Sequence, residues 1–175
     1  MVTISAESIE SAIAKLEDPS DEEFRSLNQR FMREQGPAGV FIMAMGDEDL
    51  SQAAVGLALL MGMHIWCVFD AVCPSGMPQV SPETLMEAYE NRETWLESFI
   101  GVDEDEMTRW LQITTEMPQE FVARHVIVNL METAMNAEEE LHLSEAEMGV
   151  LFWVLVSVMD AFDAAFQESV KGVPH

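Results

Sequence analysis

The chain has 175 residues, 49% of them apolar, and a formal charge of −24 from 32 acidic against 8 basic side chains. A field of that sign repels nucleic-acid phosphates and anionic lipid surfaces, which excludes direct DNA or RNA binding and a polybasic membrane anchor. The apolar content excludes a disordered acidic chain and predicts one compact domain with a real core.

Met1 to Glu7 carries neither a basic segment nor an apolar run, so no secretory leader is expected. Helical spacing then predicts a first helix over 5–17, with Ser5 as its N-cap. A second begins at Ser20, where Glu23 completes a capping box, and stops at Gly36 before Pro37. A short third helix follows over 37–45. The fourth, over 50–72, is almost uniformly apolar, with His64 the single strongly polar side chain between Ala53 and Phe69.

Cys73 to Pro82 holds three prolines and a glycine, which marks a linker between residues 1–78 and 79–175. Beyond it, helices are expected over 82–100 (Ser81 capping, Pro82 first), 103–117 (Asp103 with Glu106), 118–136 and 145–170 (Ser144 with Glu147). Alternating β-branched runs are missing. The expected fold is all-α with about eight helices.

The two halves echo one another in order. Ile4-Ser5-Ala6-Glu7 is answered by Val80-Ser81-Pro82-Glu83. Leu50-Ser51-Gln52-Ala53, Gly56 and Phe69-Asp70-Ala71 are answered by Leu143-Ser144-Glu145-Ala146, Gly149 and Phe162-Asp163-Ala164. The pattern predicts a tandem duplication of a four-helix unit packed around two central helices, each apolar on every side because protein surrounds it. Gly56 and Gly149 are expected where those helices approach closely. The apolar stretch from Ala53 is long enough to test as a membrane span, but acids flank it and no Lys or Arg lies between Arg33 and Arg92. A buried core helix is the expectation, and no membrane association.

Candidate ligand-binding residues follow from charges placed where charge is rare. Asp70 and Asp163 hold matching places on otherwise apolar helices, Asp160 lies one turn before Asp163, and His64 shares a helix with Asp70. A buried carboxylate needs a partner, so these four are a candidate ligand set, or each aspartate is bonded to an arginine such as Arg92, Arg109 or Arg124.

Other chemistry is poorly supported. The acidic clusters Asp21-Glu22-Glu23, Asp47-Glu48-Asp49, Asp103-Glu104-Asp105-Glu106 and Glu138-Glu139-Glu140 sit near helix starts, where carboxylates complement the macrodipole. Glu139-x-x-His142 stands alone where a dinuclear carboxylate site needs two such motifs. No nucleophile elbow or phosphate loop is present, so no catalytic residue, metal or cofactor is expected.

Cys67 and Cys73 are turned about 240° apart on one helix, so reduced thiols in the cytoplasm are expected. The 14 methionines are pliable core filler or the floor of a groove for an amphipathic helix. These features point to a non-catalytic acidic interaction or regulatory protein that binds a basic protein or peptide, or associates with itself as a homo-oligomer. The alternatives are a DNA mimic occupying a nucleic-acid-binding protein, and a metal- or small-ligand-binding helical protein.

Overall fold

The computed structural model describes residues 1–16, 19–46, 50–97, 114–115, 117–136 and 143–171. Among these residues there are seven helices and no strand. They are α1 (Ala6–Ile13), α2 (Asp21–Glu34), α3 (Gly36–Gly46), α4 (Gln52–Val72), α5 (Pro82–Glu97), α6 (Glu120–Asn136) and α7 (Glu145–Lys171). The helix expected over 103–117 lies almost wholly outside the described residues, as do three of the four acidic clusters and the Glu139-x-x-His142 pair.

Serine opens most of the helices. Ser5, Ser20, Ser51, Ser81 and Ser144 each accept a backbone N–H from the first turn, satisfying a donor that every helix start leaves unpaired. Ser20 with Glu23 and Ser144 with Glu147 form the reciprocal boxes. α2 stops at Glu34, two residues before the expected Gly36. Gln35 leaves helical geometry (φ −129°, ψ 35°), so α3 starts at Gly36 with Pro37 at a position where its missing N–H costs nothing.

α4 and α7 lie against one another at the centre. The Phe69 ring stands 6.1 Å from Phe162 and 5.9 Å from Phe166. α1 packs on α4 and α6, while α5 packs on α7 and α3. α3 lies along α4 and α7, and α6 lies along α7 and α4. On α5, Tyr89 stacks on Trp153 with rings 4.3 Å apart and parallel within 2°.

Two fully buried glutamines tie the extended segments into this frame. Gln119 accepts the Ile4 N–H at 2.9 Å and donates to the Val2 carbonyl at 2.9 Å. Gln35 accepts the Val80 N–H at 3.1 Å and donates to the Pro78 carbonyl at 2.9 Å. Each glutamine, at the entry to α3 or α6, therefore holds the strand-like lead into α5 or α1.

Two expectations fail. A Cβ built on Gly56 or Gly149 meets nothing within 4 Å, so neither glycine sits at a close approach. The tight positions are Gly62, whose Cβ would lie 2.5 Å from Ile42 Cδ1, and Gly39, 2.7 Å from Met32 Sδ. Nor is α4 enclosed on every side. The apolar stretch of α7 is 67% buried and that of α4 only 44%, because neighbours cover one side of α4 and leave the other open. Both helices are long and apolar enough to cross a membrane.

Candidate functional site

The open side of α4 is a stripe at helical spacing. Ala53, Gly56 and Ala71 are exposed along it, and Leu57, Leu60, His64 and Cys67 are half-buried. Alongside runs the outer face of α6, where Phe121 and Val128 are exposed and His125 and Asn129 half-buried. Between the two helices lies a cavity of about 80 Å³. Leu57, Leu60, Met61, Ile65 and Val68 form one wall, Val122 and Val126 the other, and His64 and His125 enter from opposite sides.

The two imidazoles see each other. Burial lowers the pKa of His64 below its ordinary value, and the charge of His125 lowers it further. Burial lowers His125 as well, partly offset by Glu132 two turns along α6. In both cases burial disfavours the charged imidazolium. His64 makes no hydrogen bond among the described residues. The Asn129 amide lies within 3.1–3.3 Å of the His125 ring nitrogens and donates to the His125 carbonyl at 2.8 Å. Cys67, one turn beyond His64, is pushed up to about 12 by burial and by Asp70, so its thiol stays protonated and unreactive.

The four sequence-predicted residues do not converge. Asp70 accepts from Arg30 Nη2 at 2.7 Å and from the Met77 N–H at 3.0 Å, so it fastens α2 and the linker to the end of α4. The same guanidinium lies 4.8 Å over the Trp66 ring. Asp163 is buried and accepts from Gln119 Nε2 at 2.6 Å and Gln167 Nε2 at 2.9 Å. Two amide dipoles, with no arginine in the contact, stabilise its charge. Asp160 is gripped by Arg92, which donates from Nε to Oδ2 and from Nη2 to Oδ1 at 3.0 Å. Burial nonetheless raises the Asp160 pKa, with Arg92 opposing the shift. Arg124 pairs with Glu120 on its own helix. Arg109 lies outside the described residues.

Each aspartate is thus a structural clasp with its own donors, and His64 stands apart from all three in the α4–α6 groove. Among the described residues, no three His, Cys, Asp or Glu side chains gather as a metal centre. No protein-family model matches the chain, and neither a curated protein nor a solved structure matches it.

Three residues that organise the molecule were missed. Gln35 and Gln119 carried a weak signal, since Gln35 lies two residues before Pro37 and Gln119 directly after Pro118, the prolines expected to open the third helix of each half. His125 carried none, because its meeting with His64 exists only once α6 lies on α4.

Proposed function

We propose that this chain is a non-catalytic interaction module whose α4–α6 groove receives an apolar anchor from a basic, amphipathic segment of a partner protein. The observation that carries it is the open apolar stripe of α4, continued by Phe121 and Val128 of α6 around a cavity sized for one side chain. Large apolar side chains exposed together beside such a pocket are the ordinary mark of a docking face. The occupant's charge follows from the protein's own −24, which steers cations inward and repels acidic segments. The two free thiols suit a reducing compartment, so we place the protein in the cytoplasm.

The reading extends to the origin of the groove. We infer that residues 1–78 and 79–175 are copies of one helical unit. The support is that α1 stands to α4 and α6 as α5 stands to α7 and α3, and that Gln119 and Gln35 hold matching segments. The copies then differ where it matters. α5 has 16 residues, and its stretch beyond Tyr89 goes on covering α7 through Arg92 on Asp160. α1 has 8 residues and ends at Ile13, and the corresponding stretch of α4 stays open.

The test is a titration with a helical Leu/Lys peptide against a scrambled peptide of equal charge. Saturable one-to-one binding of the amphipathic peptide alone, lost in Leu60→Glu and Val128→Glu with helicity retained, supports the assignment. Equal binding of the scrambled peptide overturns it, as does occlusion of the face by a stable dimer. Insertion of the face into neutral lipid vesicles would overturn it too.

A further inference from the structure

We propose that His64 and His125 form a binding site for a first-row transition-metal dication, clamped across the groove between α4 and α6. Three independent features of the molecule meet there. One imidazole comes from each wall of a cavity of about 80 Å³, which is room for an ion and its remaining water ligands. The His64 ring has no hydrogen-bond partner among the described residues, so no protein donor has to be displaced from it. No carboxylate lines the cavity, so the donors offered are imidazoles with a neighbouring amide.

That donor set selects the ligand. Neutral imidazoles suit Zn²⁺, Cu²⁺ and Ni²⁺, whereas Ca²⁺ and Mg²⁺ require oxygen. Cys67 is not enlisted, since its protonated thiol lies outside the cavity lining. On His125 the ion competes with the Asn129 amide, which lies near both ring nitrogens. With two protein ligands and no oriented carboxylate behind them, the site takes Cu²⁺ most tightly, following the general order of affinities.

The consequence is mechanical. An ion held by one residue from each helix pins α6 to α4 and fills the cavity that an anchor side chain would enter. Metal binding itself requires no partner in the groove, so it stands or falls independently of the docking proposal.

The experiment is calorimetric titration of the full chain, stripped with chelator, using Zn²⁺ and Cu²⁺, with Mg²⁺ as control. The expected result is one high-affinity Cu²⁺ per chain that raises the unfolding midpoint. Affinity falls at least tenfold in both His64→Gln and His125→Gln, and stays unchanged in His142→Gln and His175→Gln. Nitrogen hyperfine structure from two imidazoles in the Cu²⁺ spin-resonance spectrum is the signature that a general loss of packing would not imitate. The proposal is overturned if no saturable site appears, or if either groove variant binds as tightly as the parent. It is equally overturned if the spectrum reports only oxygen ligands, which would place the ion at an acidic cluster.

Discussion

Gln119→Ala tests whether the buried glutamines hold the two halves together. The side chain is fully buried and makes three hydrogen bonds, to the Ile4 N–H, the Val2 carbonyl and the Asp163 carboxylate. A neutral bond contributes about 1 kcal/mol and one to a charged group about 1.5–3 kcal/mol. Val2 is exposed, and Gln167 still donates both to its carbonyl and to Asp163, so these losses are partly compensated. The Ile4 N–H is buried and keeps no acceptor. The net cost is therefore about 3 kcal/mol, or roughly 6–12 °C in the unfolding midpoint for a domain of this size.

Gln35→Ala removes two sound neutral bonds, and its third contact, to the Met77 carbonyl, is long at 3.5 Å. It costs less, about 2 kcal/mol. Urea unfolding of both variants gives the comparison, and amide exchange localises it. Ile4 should lose protection in Gln119→Ala, and Val80 in Gln35→Ala. A Gln119→Ala variant no less stable than Gln35→Ala would refute the reasoning. So would either variant losing less than about 0.5 kcal/mol, because a fully stranded buried donor is not that cheap.

The glycines offer a sign test. Gly56→Ala and Gly149→Ala meet open space inside helices and should stabilise by about 0.5–1 kcal/mol, whereas Gly62→Ala must move Ile42 and should destabilise by about 1–3 kcal/mol. Thermal melts of the three variants check the order, and stabilisation by Gly62→Ala would remove the packing account of that position. Glu147 supplies a pH test. It accepts the N–H groups of Ser144 and of Ser51, so it joins the starts of α4 and α7 and sits at about 2 instead of 4.5. A depressed folded pKa means that the carboxylate's contribution is complete above pH 4.5 and disappears as pH falls towards 2. Glu147→Gln should therefore be less stable than the parent by about 1 kcal/mol at pH 7, and equal to it near pH 2. A difference that persists in acid would mean that the lost interaction is not electrostatic.

Helix positions were legible because their causes are local. Serine caps, capping boxes and prolines act within one turn, whereas the same apolar composition that marks α7 as a core helix leaves one side of α4 open. The candidate site was much less legible. Asp70, Asp163 and Asp160 were singled out correctly as charges in need of partners, yet sequence spacing linked them to each other and to His64. Their actual donors, Arg30, Gln119 with Gln167, and Arg92, come from other helices.

The amino-acid order by itself determined that this chain is helical, acidic and built around two apolar helices, since periodicity and capping operate over a few neighbouring residues. Tertiary structure alone decided which side of α4 is left uncovered, because that depends on where α1 ends and where α6 lies. It alone decided that His64 and His125 line one cavity and that two buried glutamines hold the leads into α1 and α5. Those pairings join residues far apart in the chain, and their energy exists only after the helices have packed.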